Sequence, residues 1–123
     1  MQKKTILVVD DEKIVRDIST KLLQRLGFNA ITAADGRAAL RIYRENSALV
    51  DLVLLDMMMP DSDSGDIVDG LQQINPDVRV LLFSGYPKDD TVAALFEKGC
   101  VGFIQKPFNL TQLSAKIDAA IGT

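Results

Sequence analysis

Three aspartates, a serine and a lysine stand where the short apolar runs of this chain stop. Ile6-Leu7-Val8-Val9 ends in Asp10-Asp11, and Leu52-Val53-Leu54-Leu55 ends in Asp56. Val80-Leu81-Leu82-Phe83 ends in Ser84, and Val101-Gly102-Phe103-Ile104-Gln105 ends in Lys106-Pro107. Carboxylates held close together repel one another, which raises their pKa values unless a cation joins them. A hard divalent ion meets that need, and Mg²⁺ commonly takes one or two carboxylates plus waters and phosphate oxygens. A carboxylate can also attack phosphorus and form an acyl phosphate. Such a transfer needs positive charge and hydrogen-bond donors around the equatorial oxygens. Lys106 and the metal supply the charge, and Ser84 supplies a donor. The set is complete for making a phosphoaspartate.

These residues meet only if the intervening elements bring the strand ends together. Apolar runs rich in Val, Ile and Leu read as buried parallel strands, and helical signals alternate with them from end to end. The first strand is expected at about residues 4–9. A helix follows with Ile14, Ile18 and Leu22 as its buried stripe, flanked by Val15 and Leu26, and Gly27 suits a left-handed cap. A second strand covers residues 28–33, and Asp35 caps a helix carrying Ala38, Ala39, Leu40 and Ile42.

The third strand is expected at 50–55, followed by a loop over 56–64. A helix then carries Ile67, Val68, Leu71 and Ile74, and Asn75-Pro76-Asp77 ends it. The fourth strand covers 78–83. Asp89 or Asp90 caps a helix through Val92, Leu95 and Phe96, closed by Gly99. The fifth strand covers 100–105. The last helix puts Leu110, Leu113, Ile117 and Ile121 on one face, with Asn109 and Gln112 as its capping box. Five βα units of this length imply a flavodoxin-like α/β fold, a doubly wound parallel sheet of strand order 2-1-3-4-5. Strands 1 and 3 are then neighbours at the switch point, and Asp10, Asp11 and Asp56 share one pocket.

Composition narrows the function further. The 123 residues, 47% apolar, suit a single globular domain. No apolar stretch approaches the roughly 20 residues that span a bilayer, and residues 1–4 lack the layout of a signal peptide. With one cysteine, no internal disulfide forms, so a cytoplasmic protein is expected. A net charge of -3 without a basic run argues against nucleic-acid binding. The chain has no histidine, which excludes Ser-His-Asp and Cys-His nucleophiles, most catalytic zinc sites and any phosphohistidine of its own.

Four segments together resemble the receiver domains of two-component response regulators, in a chemotaxis-regulator-like form. They are Val8-Val9-Asp10-Asp11-Glu12, Leu55-Asp56-Met57-Met58-Met59-Pro60, Ser84-Gly85-Tyr86 and Phe103-Ile104-Gln105-Lys106-Pro107-Phe108. Singly each is weak; in this order and spacing they cover essentially the whole chain. The resemblance implies that Asp56 accepts a phosphoryl group from a histidine kinase or a histidine phosphotransfer protein. It implies Mg²⁺, or Mn²⁺, held by Asp11, Asp56 and the Met58 carbonyl, with Asp10 acting through water. Lys106 would pair with the phosphoryl group across a cis bond to Pro107. Ser84 would move toward the phosphate and draw Phe103 inward, changing the surface of the fourth helix, fifth strand and fifth helix. A downstream protein would read that surface, and a second copy of the chain is a further candidate partner.

On this reading residues 1–123 form one receiver domain without an effector, either a stand-alone regulator or a part of a hybrid kinase. It is no enzyme beyond self-catalysed phosphotransfer and dephosphorylation. A small Mg²⁺-dependent phosphatase with an aspartyl nucleophile is the main competitor, but it usually needs an aspartate where Met58 stands, and a cap. A degenerate, purely protein-binding receiver would have lost one of the acidic or basic groups.

Several positions have plainer readings. Phe103 lacks a hydroxyl, so any switching there works by packing. Ser64 stands where the family generally has glycine, with Gly65 next, which puts the loop geometry in question. Asp61 and Asp63 read as a solvated acidic loop, Met57-Met58-Met59 as gap-filling side chains and Cys100 as a small core residue. Tyr86 is expected over the phosphoryl group, limiting water entry.

Overall fold

The computed structural model describes residues 3–60, 62–85 and 89–121, leaving the Asp89 side chain aside. The elements run β1 (Thr5–Val9), α1 (Lys13–Arg25), β2 (Asn29–Ala33), α2 (Gly36–Asn46), β3 (Val50–Asp56) and α3 (Ser64–Ile74). They continue β4 (Val80–Ser84), α4 (Asp89–Lys98), β5 (Gly102–Gln105) and α5 (Leu110–Ile121). All five strands are parallel in the order 2-1-3-4-5, the flavodoxin-like arrangement expected.

The unbroken apolar runs have a simple cause: each central strand is covered on both faces. Alternate residues divide between two cores. Leu7, Val9, Val53, Leu55 and Leu82 face α2, α3 and α4, packing on Ala39, Tyr43, Val68, Leu71 and Leu95. Ile6, Val8, Leu54, Leu81 and Phe83 face α1 and α5, packing on Leu23, Leu113 and Ile117. Burying each such side chain contributes about 2 kcal/mol.

The helix ends follow the local chemistry. The Asp35 carboxylate accepts from the Ala38 amide at 2.8 Å, and Asn109 and Gln112 exchange their two bonds at 2.8 and 3.0 Å. Gly27 and Gly99 end α1 and α4 with φ of 91° and 113°, where a side chain would be strained.

Some expectations need correction. In α1 the buried stripe lies one position along: Ser19 and Leu23 are buried, while Ile14 and Ile18 are 66% and 52% exposed. Apolar residues occupy two adjacent stripes of this helix, and the polar Ser19 disguises the one that meets the sheet. On α4 Leu95 carries the core contact, and Phe96 is 43% exposed. Strand β4 begins at Val80 and β5 at Gly102, each two residues later than expected, and β3 and β4 each extend one residue to Asp56 and Ser84. Asp89 is the first residue of α4 and so lies inside the helix. Asp63 is the N-cap of α3, its carboxylate accepting from the Asp66 amide at 3.0 Å. Met57 and Met59 are buried in the core beside an exposed Met58, as gap-filling predicts. Among the described residues, no helix is long and apolar enough to cross a membrane.

Candidate functional site: an acidic pocket at the carboxyl ends of the strands

Strand register sets the site. Val9 pairs with Leu55, so Asp10 and Asp56 follow at the same height on adjacent strands. Asp56 pairs with Phe83, and Ser84 with Gln105, so Lys106 continues the row on the far side. The Asp10 amide extends the ladder to the Ala33 carbonyl at 3.1 Å, and the Lys106 amide to the Ser84 carbonyl at 2.9 Å. Sheet hydrogen bonds therefore fix the backbone beneath Asp10, Asp56 and Lys106.

Carboxylate oxygens of Asp10, Asp11 and Asp56 all lie within 4.8 Å of one another. Asp10 and Asp56 are buried and Asp11 is exposed, so the cluster opens to solvent on one side. Lys106 Nζ sits 2.9 Å from Asp10 Oδ2 and 3.6 Å from Asp56 Oδ2. Its ammonium also lies 4.6 Å from the centre of the Phe83 ring, which the Phe108 ring meets edge-on at 6.1 Å. The other oxygens have backbone donors: Asp10 Oδ1 accepts from Glu12 at 2.8 Å, and Asp56 Oδ1 from Met58 at 3.0 Å.

Burial pushes the Asp56 carboxyl above its ordinary value of 3.8, against the Met58 amide. The charge on Asp10 adds to the rise, Lys106 opposes it, and Asp11 adds a smaller push upward. An isolated carboxylate here is costly, and a cation relieves it.

Of the expected site residues, the structure brings Asp10, Asp11, Asp56 and Lys106 together. Ser84 is fully buried at the neighbouring strand end. Met58 is half exposed in the loop after Asp56, and the Lys106–Pro107 bond is cis, as the resemblance implies. Phe103 stands apart from the cluster, paired with Leu82 and half-buried against the α2/α3/α4 core. Tyr86 and Asp61 lie outside the described residues.

Two participants, Arg16 and Phe83, escaped the sequence reading, and a third, Ser64, was noticed there without its partner. Arg16 of α1 donates from Nη1 to the Asp10 carbonyl at 2.8 Å; its place one turn into the helix after Asp10 is the signal that could have found it. Phe83 provides the ring beneath Lys106. Ser64 is buried at the first position of α3, where its hydroxyl donates to the Met57 carbonyl at 3.1 Å. It needs no left-handed backbone, since among the described residues only glycines have positive φ. A groove of about 420 Å³ opens beside the pocket, lined by Val15, Ile18, Ser19, Gly85, Lys106, Pro107 and Phe108.

Comparison with known proteins agrees with this geometry. The family model described as response regulator receiver domain matches residues 6–118. Sensor kinase CckA of Brucella abortus is 35% identical over 113 residues, 92% of this chain and 12% of that protein. A response regulator receiver domain protein from Clostridium thermocellum superposes with a TM-score of 0.91 at 31% identity, covering 97% of this chain and 94% of that one. CheY in a CheX–CheY–BeF3–Mg complex from Borrelia burgdorferi gives 0.89 at 29% identity, covering 94% and 87%. The chain spans between 12% and 50% of the length of the first curated relatives it matches. A family match across nearly the whole chain, on a sheet of the same strand order, leads to one assignment: the chain belongs to the receiver domains of two-component response regulators.

Proposed function

We propose that Asp56 is the phosphoacceptor of this receiver, and that Asp11, Asp56 and the Met58 carbonyl hold a Mg²⁺ or Mn²⁺ ion, with Asp10 acting through water. The observation that carries this reading is the meeting of three carboxylates and one ammonium at aligned strand ends, two of the carboxylates buried. Three negative charges against one positive leave two unmatched, the charge of a divalent cation. The donors are all hard oxygens, which suits Mg²⁺. Once bound, such an ion supplies positive charge to the oxygens of a transferring phosphoryl group.

The remaining work falls to the chain itself. An Asp56 oxygen forms a bond to phosphorus as the P–N bond of a donor phosphohistidine breaks. The departing ring nitrogen keeps the electron pair, and the ring leaves neutral because its other nitrogen carries a proton. Lys106, steadied by Asp10 and by the Phe83 ring, faces the acceptor carboxylate and balances the charge that arrives. Ser84 donates to the phosphoryl oxygens. Hydrolysis of the acyl phosphate is self-catalysed, so the domain is a signalling module and not an enzyme acting on a separate product.

The donor is a histidine kinase or histidine phosphotransfer protein, and exposed Ile14 and Ile18 with the groove beside Lys106 offer it apolar contact near Asp56. On activation Ser84 shifts toward the phosphate and Phe103 moves inward. The output surface is α4, β5 and α5, with Phe96 of α4 and Val101, just before β5, exposed. The domain works in the cytoplasm, by itself or within a hybrid kinase or larger regulator. Incubation with Mg²⁺ and acetyl phosphate, followed by intact mass measurement, tests the reading. One added phosphoryl group that vanishes in Asp56→Asn supports it; no gain under conditions that label a known receiver removes it.

A further inference from the structure

A single peptide group connects Ser64 to Asp56. The Ser64 hydroxyl donates to the Met57 carbonyl at 3.1 Å, and the amide on the other side of that peptide, that of Met58, donates to Asp56 Oδ1 at 3.0 Å. Carbonyl and amide of one peptide are conjugated, so a bond at one end polarises the other and fixes the plane of both. The anchor is itself rigid. Ser64 is buried at the first turn of α3, which Asp63 caps. The near end is pinned too, by the Met57 amide on the Phe83 carbonyl at 3.0 Å. With Oδ1 held on the loop side, Oδ2 is the oxygen turned toward Lys106. Glycine at position 64 would leave the Met57 carbonyl without this donor.

We propose that Ser64 is a positioning residue for phosphoryl acceptance, its hydroxyl orienting the Asp56 carboxylate through the Met57–Met58 peptide. This rests on the reading of Asp56 as the acceptor. It gives the buried hydroxyl a role: a fixed support beneath the reacting carboxylate.

The test uses the whole chain with Mg²⁺ and compares Ser64→Ala, Ser64→Gly and Ser64→Thr with the wild type. Phosphorylation by phosphoramidate is followed by intact mass, and the Met58 amide proton by NMR. Losing one hydrogen bond of this kind should slow phosphorylation about fivefold in the alanine and glycine variants. It should also move the Met58 amide signal upfield, while threonine, which keeps the hydroxyl, restores both. An unmoved Met58 signal, or an unchanged rate in whichever deletion variant folds, overturns the proposal. Failure of threonine to restore the rate, with the Met58 signal restored, also overturns it. If the wild type takes up no phosphoryl group, the acceptor reading falls and this one with it. The NMR signal separately reports whether the Ser64–Asp56 connection exists.

Discussion

Lys106→Met isolates the charge that holds the pocket together. Methionine keeps an unbranched stem to cover Phe83 and loses only the ammonium. That ammonium is 2.9 Å from Asp10 Oδ2, and Asp10 is fully buried while Lys106 is 20% exposed. Removing one partner of a buried ion pair typically costs about 3–5 kcal/mol, because the other charge is left without compensation. Two features reduce the loss: partial solvation of Lys106, and the Glu12 amide that still holds Asp10 at 2.8 Å. One adds to it, the position of the ammonium over the Phe83 ring, which is worth about 0.5–2 kcal/mol. The expected net loss without metal is about 3 kcal/mol. With a urea slope of about 2 kcal/mol per molar, the unfolding midpoint in EDTA falls by roughly 1.5 M. Adding Mg²⁺ should then stabilise the variant more than the wild type, since the ion becomes the main counter-charge for three carboxylates. Equal or greater stability of Lys106→Met in EDTA would refute this reasoning, as would an identical response of both proteins to Mg²⁺.

Two further outcomes are expected. Burial raises the Asp56 pKa above 3.8, so the metal-free fold is favoured while Asp56 is protonated and loses that advantage as pH rises from 3.8 through the folded value. Asp56→Asn should therefore gain stability over the wild type as pH increases across that window, seen in urea titrations in EDTA at pH 4 and pH 7; a gap that shrinks with pH contradicts the assignment. Burial pushes the Cys100 thiol up to about 11 despite the opposing charge of Lys98. The native protein should resist maleimide at pH 8 and react once urea unfolds it, and rapid labelling without urea would count against this.

The chemistry was legible because its residues end apolar runs, and a run marks a strand whatever surrounds it. Asp10, Asp11, Asp56 and Lys106 were found this way, and the alternation of elements yielded the strand order. Helix orientation was less legible. Periodicity showed that α1 has an apolar side, but Ile14 and Ile18 belong to a stripe beside the one that meets the sheet. Which stripe packs depends on the position of the helix over β1 and β2, a tertiary property. Tyr43 was missed for a related reason: its ring is buried and its hydroxyl accepts from Asn75 Nδ2 at 3.0 Å, a partner 32 residues away. Asp63 read as a loose surface charge until the start of α3 gave its carboxylate an amide to hold. Ser64 was noticed as a departure, but its partner is a backbone carbonyl, which no side-chain pattern reveals.

The strand order divides the molecule mechanically. Asp10 and Asp56 ride on β1 and β3, each hydrogen-bonded on both edges, so freeing either means breaking two ladders. Lys106 follows β5, a four-residue strand with β4 as its single neighbour. Segments with fewer shared hydrogen bonds open at lower free energy than the centre of a sheet. The domain thus has a stiff anvil under its acidic groups and a compliant margin carrying its lysine. Amide exchange should be slowest along β1 and β3 and faster along β5, with strain created at the anvil relaxing toward the margin.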